Sequence, residues 1–221
     1  MKLLALETAN EQCSVSLIDE HQTLYFQLDH RAKAQTQSIL PMIDAALKQN
    51  ALSPTDLNCI AFSRGPGSFS GVRINAAVTQ ALAWANDLPV IPVSTLQALA
   101  QAAYREQQLT EVTAVLDARM NEVYIASYRL DEQGIMQAVD AEQLLNYADA
   151  AAYRKFMLVG SGAHLITKDT EQQQSLHATA EDIATIARNF ALKQQWVNAE
   201  LALPVYLRDN AWKKIPEQGK S

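Results

Sequence analysis

The sequence predicts an α/β fold of two similar lobes, each a mixed sheet with helices, and three observations carry that prediction. Short β-type runs alternate with helical stretches along the chain. An order of three strands, helix, strand, glycine turn and helix occurs twice. The 221 residues are 48% apolar, enough to bury a core of that size. A single mixed sheet with helices on both faces is the alternative. Seven glycines, seven prolines and 19% charged residues leave no linker or low-complexity run, so disorder is excluded as the general state.

Leu3–Leu6, Ser14–Ile18 and Thr23–Leu28 are β-type runs separated by polar turns, which predicts an antiparallel meander. Ile39, Leu40, Ile43 and Leu47 recur at spacings of three and four, marking one face of a helix from Gln37 to about Lys48. Ser53-Pro54-Thr55-Asp56 carries the signals of a short capped turn, and Leu57–Phe62 reads as a buried strand. The turn-rich loop Ser63–Gly71 follows, then a helix from Gly71 to Asn86. That helix has a small-residue stripe, Val72, Ala76, Thr79 and Ala83, beside a larger one of Ile74, Val78 and Leu82. Small residues permit close helix approach, so the first stripe is the expected face toward another chain and the second the face on the sheet. Pro89–Val93 is the next strand, and Ser94 with Gln97 makes a capping box for a helix bearing Leu96, Leu99, Ala100 and Ala103.

The second round begins with a strand at Val112–Leu116 that ends at Asp117, as Leu3–Leu6 ends at Glu7. A polar turn leads to a strand at Val123–Leu130, and a third is expected after Gly134. A helix near Glu142–Tyr153, a strand at Phe156–Val159, the turn Gly160-Ser161-Gly162 and a helix capped by Thr179 and Asp182 complete it. Residues 1–106 are the expected first lobe, 107–205 the second, and 206–221 a tail returning to the first lobe. Two lobes meeting at a cleft, with strand-end acids and glycine turns facing it, is the layout of actin, sugar kinases and Hsp70-type ATPases.

The formal net charge of −6 argues against a chain that binds nucleic acid unaided, despite a basic tail of Arg208, Lys213, Lys214 and Lys220. The apolar run after Met1 stops at Glu7, far short of a signal peptide, and no run approaches a membrane span, so a cytoplasmic protein is expected. Cys13 and Cys59 lie in strand-like runs and are expected as buried free thiols. His21, His30, His164 and His177 are scattered, so no metal site is expected. Tyr124, Tyr128 and Trp212 are expected in a core or an interface rather than as base-stacking platforms.

Glu7 and Asp117 are the acids that a cleft enzyme would need, holding Mg²⁺ or orienting a nucleophile; the competing expectation is that each carboxylate binds its own turn. The Gly65–Gly71 loop opens a helix, where free N–H groups suit a phosphate, but it lacks the Gly-Lys-Ser/Thr of a Walker motif. Its alternative role is a rigid turn that positions Phe69 and Arg73 for a subunit contact. Gly160 and Gly162 give a weaker suggestion of a nucleotide cleft, possessed or vestigial.

With Leu-Leu-Ala-Leu-Glu-Thr-Ala at Leu3, Ile-Leu-Pro-Met-Ile at Ile39, Ser-Arg-Gly-Pro-Gly-Ser-Phe-Ser-Gly-Val-Arg-Ile at Ser63, Val-Ser-Thr-Leu at Val93, Asp-Ala-Arg-Met-Asn-Glu-Val-Tyr at Asp117 and Pro-Val-Tyr-Leu-Arg at Pro204, the chain resembles the TsaB (YeaZ) family. The resemblance implies an actin-like, ribonuclease H-like two-lobe fold. It also implies a non-catalytic partner of TsaD, which transfers threonylcarbamoyl to adenosine 37 of tRNA, with the ATPase TsaE joining them. On this reading the chain forms a homodimer when alone and meets tRNA only through the complex. It has no cofactor or metal of its own, with ATP or ADP and Mg²⁺ held in the complex. Arg64, Gly65, Pro66, Gly67, Ser68, Phe69, Gly71 and Arg73 become the partner-contact loop. Val72, Ala76, Thr79 and Ala83 become the dimer face, and Glu7, Asp117, Gly160 and Gly162 a vestigial nucleotide cleft. The chain departs from the family pattern at Glu7, where relatives often carry Asp, and at Gln35, where they often carry His. The competing function is an ATP-dependent phosphotransferase or ATPase working in the cleft.

Overall fold

β1 (Leu3–Glu7), β2 (Cys13–Ile18) and β3 (Thr23–Asp29) form the antiparallel meander, and β4 (Cys59–Ser63) and β5 (Val90–Val93) add to it in parallel, giving the order β3-β2-β1-β4-β5. The computed structural model describes residues 1–31 and 34–208, so Trp212, Lys213, Lys214 and Lys220 lie outside the described residues. The second sheet contains β6 (Glu111–Arg119), β7 (Glu122–Leu130), β8 (Met136–Ala138), β9 (Gln143–Asn146), β10 (Met157–Val159) and β11 (Gln173–Gln174). Its order, β8-β7-β6-β10-β11 with β9 also on β7, repeats that of the first sheet strand for strand. The chain is therefore a duplicated α/β unit of the actin-like class.

Every residue of β1 is buried because both faces of its sheet are covered. Leu4 and Leu6 pack outward with α1 (Gln35–Gln49) and α2 (Phe69–Asn86), while Leu3 and Ala5 face the interior between the two sheets. That interior is filled by α3 (Thr95–Gln107) and α6 (Ala180–Leu192), and their packing crosses the expected lobe boundary. α3 leaves the first lobe's last strand yet packs on β6, β7, β8 and β10; α6 leaves the second lobe and returns to β1, β2, β4 and β5. One apolar cluster consequently runs from Leu3 and Val93 through Leu99 and Ile183 to Val112 and Tyr128. The outer face of the second sheet is covered by α4 (Tyr147–Tyr153) and the single turn α5 (Ala163–Ile166).

Cap chemistry sets several of these boundaries. Ser53 and Asp56 form their reciprocal box, and so do Thr179 and Asp182, where Asp182 Oδ2 accepts the Thr179 N–H at 2.9 Å. Asp182 is fully buried and is paired with Arg105 of α3 at 2.9 Å, so the same carboxylate caps α6 and ties it to α3. Two expectations need correction. Ser94 does accept from the N–H groups of Leu96 and Gln97, but the Gln97 side chain donates to Met136 O at 2.9 Å, which leaves half a box. The stretch expected as one helix from Glu142 begins as β9, because Gln143–Asn146 pair with β7; Asn146 then caps α4 by accepting from Asp149 N. Among the described residues no helix is long and apolar enough to cross a membrane.

Candidate functional site

The site begins at the end of β1. Glu7 Oε1 accepts the N–H groups of Ala9 at 2.5 Å and Asn10 at 3.3 Å, so the carboxylate shapes its own turn. Glu7 is 1% exposed, and burial pushes its pKa up to about 7, against the Ser63 hydroxyl and the two turn N–H groups, which lower it. Its Oε2 has no well-aligned donor among the described residues.

The Ser63–Gly71 loop lies on this turn, backbone against backbone. Ser68 N donates to Ala9 O at 2.7 Å and Thr8 Oγ1 donates to Gly71 O at 2.8 Å. A Cβ at Gly67 would stand 2.4 Å from Ala9 O, and one at Gly71 2.0 Å from Thr8 O, so only glycine allows the approach. Asn75 of α2 closes the corner by donating to Leu6 O, Ser63 O and Ser63 Oγ. The rigid-turn reading of the loop therefore has a physical basis. Its arginines face different ways. Arg64 pairs with Glu142 of the second lobe at 3.3 Å and accepts Val205 N on its carbonyl, whereas Arg73 lies 3.4 Å over the Phe69 ring and 4.9 Å from that of Tyr206.

A cavity of about 960 Å³ separates this loop from the second lobe. Asp117 lines it but is engaged by its own turn: Oδ1 accepts Arg119 N at 2.8 Å and Oδ2 meets the Arg119 guanidinium at 3.0 Å. Glu7 does not line the cavity, so the two strand-end acids do not converge on one point. Ser161 lines it, while Gly160 and Gly162 press on β6, where a Cβ at Gly162 would lie 3.0 Å from Asp117 N. Gln35 is on the wall and donates to Asn10 O. His177 also lines the cavity, and no group of three His, Cys, Asp or Glu side chains able to hold a metal occurs among the described residues. Cys13 and Cys59 are buried free thiols, pushed up to about 12 by burial. Tyr124 reaches the cavity, whereas Tyr128 is core.

Against known proteins, the family model described as TsaD, tRNA N6-adenosine threonylcarbamoyltransferase, matches residues 30–169. The tRNA threonylcarbamoyladenosine biosynthesis protein TsaB of Escherichia coli K12 is 39% identical over 98% of this chain and 99% of its own. The chain belongs to the TsaB family. The TsaB of Haemophilus influenzae is 36% identical with 98% of each chain covered. The solved structure of YeaZ from Pseudomonas aeruginosa superposes with a TM-score of 0.86 at 36% identity, covering 93% of this chain and 99% of that one.

In this TsaB-family chain the small-residue stripe of α2 faces inward, contrary to expectation, while Ile74, Val78 and Leu82 also pack on the core from the helix's side. Val72, Ala76, Thr79 and Ala83 are buried within the chain at 0–4% exposure, because small side chains let α2 lie close on β1 and β4. They are not available as a dimer face. Ala77, Ala81 and Ala85 point outward instead, with the half-buried Ile74, Val78 and Leu82 beside them. Of the expected tail 206–221, only residues 206–208 are among the described residues. Residues 205 and 206 lie on the Gly65 loop and Arg73, but Arg208 reaches the second lobe, donating to Ala118 O at 3.0 Å and pairing with Glu122. Sequence reasoning missed Glu142, Arg119 and Tyr206 as site neighbours. Only the proximity of Arg119 to Asp117 in sequence could have flagged one of them.

Proposed function

We propose that this chain is a non-catalytic scaffold in tRNA threonylcarbamoyladenosine synthesis, organising TsaD for threonylcarbamoyl transfer to adenosine 37, with TsaE as the third component. The observation that carries the reading is the end-to-end match to TsaB proteins. The geometry favours an accessory role over chemistry in the cleft, since Glu7 is sealed from the cavity and Asp117 is held by Arg119. A docking surface is available where α2 turns Ala77, Ala81 and Ala85 outward. Small side chains spaced by four allow a second helix to approach closely. We assign this face to the homodimer of the chain alone and to TsaD in the complex, the two competing for one surface.

The test is modified nucleoside formed by TsaD and TsaE, with the threonylcarbamoyl donor supplied, in the presence and absence of this chain. Transfer that requires the chain and survives Asp117→Asn in it is the expected result. Full transfer without the chain overturns the scaffold reading, and transfer abolished by Asp117→Asn would favour catalysis in this chain's own cleft.

A further inference from the structure

A second concavity, of about 620 Å³, lies at the far end of α2. Its walls are the last turn of α2, the Leu88–Pro89 segment and residues 196–200. Val197 and Val90 exchange two backbone hydrogen bonds at 2.8 and 2.9 Å, and Gln80 Nε2 donates to Glu200 O, which fixes the segment along the helix. Two tryptophans flank the groove, Trp84 at 71% and Trp196 at 45% exposure. Leu201 and Leu203, each more than half exposed, extend the apolar surface along the same strand of chain.

The electrostatics of the groove have one sign. Asp87 and Glu200 line it, and among the described residues no Lys, Arg or His joins its lining. Neither carboxylate has an ion pair or hydrogen bond among the described residues. Asp87 is the C-cap of α2, so the negative end of an 18-residue helix points at the same place. Indole faces add a third attraction for a cation.

We propose that this groove docks an extended, lysine- or arginine-bearing segment of a protein partner, with the basic side chain between Trp84 and Trp196 and its charge on Asp87 and Glu200. The flanking leucines take the apolar residues of such a segment. The site uses no residue of the cleft and adjoins the alanine face, since Trp84 follows Ala77 by seven residues and Ala81 by three on one helix.

The test follows the indole Nε1–H signals of the full chain by NMR during titration with a blocked Ala-Lys-Ala-Arg-Ala peptide, and with the same peptide carrying Glu for both basic residues. Trp84→Phe and Trp196→Phe variants assign the signals. Saturable shifts confined to Trp84 and Trp196 are expected with the basic peptide, with affinity at least tenfold weaker in Asp87→Asn/Glu200→Gln. All of these positions are at the surface, and an unchanged remainder of the spectrum verifies the fold. Absence of shifts, equal shifts with the acidic peptide, or an unaffected charge variant would overturn the proposal. So would a Trp196 shift that follows chain concentration without peptide, which would assign the groove to a second copy.

Discussion

Replacing Glu7 by Gln tests whether the buried carboxyl at the end of β1 is a proton-binding structural group. Its pKa rises from 4.5 to about 7 on folding because the charged form is taken out of water. The folded state therefore binds the proton more tightly than the unfolded chain. Its stabilising contribution is fully present below pH 4.5 and is lost as the pH climbs through about 7. At roughly 1.4 kcal/mol per pH unit, that interval corresponds to about 3 kcal/mol. Glutamine keeps an oxygen to accept from Ala9 and Asn10 N–H groups and cannot ionise. Urea unfolding at pH 5, 6, 7 and 8 is the assay. Glu7→Gln should gain stability relative to the parent as the pH rises, by about 2.5 kcal/mol between pH 5 and pH 8, and the subtraction removes groups common to both proteins. A constant difference between the two proteins across the series would refute the argument.

Four further substitutions probe the frame around the site. Gly71→Ala forces a methyl group against Thr8 O and should cost about 3 kcal/mol or more, read as a lowered thermal midpoint; an unchanged midpoint would contradict the backbone packing of loop on turn. Arg105→Ala leaves Asp182 buried without its ion-pair partner, so a loss of about 3–5 kcal/mol in denaturant unfolding is expected, and a loss below about 1 kcal/mol would mean the pair does little for the α3–α6 layer. Ala76→Arg buries a charge in the core and should unfold the chain, whereas Ala81→Arg should keep a native circular dichroism spectrum and lose self-association. The opposite pattern would restore the buried stripe as the interface.

The duplicated order of elements was legible because local signals mark it. The β1–β3 meander, the Thr179–Asp182 box and the glycine loop each declare themselves within a few residues. What stayed hidden depends on partners distant in sequence. Periodicity found both stripes of α2 but could not say which one meets the sheet; Asn75 reaching Leu6 and Ser63 decides that. β9 resembled the start of a helix because Leu144-Leu145 does not alternate, and only its pairing with β7 makes it a strand. The Arg64–Glu142 link and the return of α6 to the first sheet leave no local trace. Glu7 was identified as a strand-end acid, but its burial and raised pKa follow from the α6 layer packed over it.

Sedimentation velocity of the chain alone and mixed with TsaD from the same organism tests the central claim most directly. A homodimer that gives way to a one-to-one heterodimer is expected, with Ala81→Arg failing to form either species. A chain that stays monomeric and sediments independently of TsaD would contradict it.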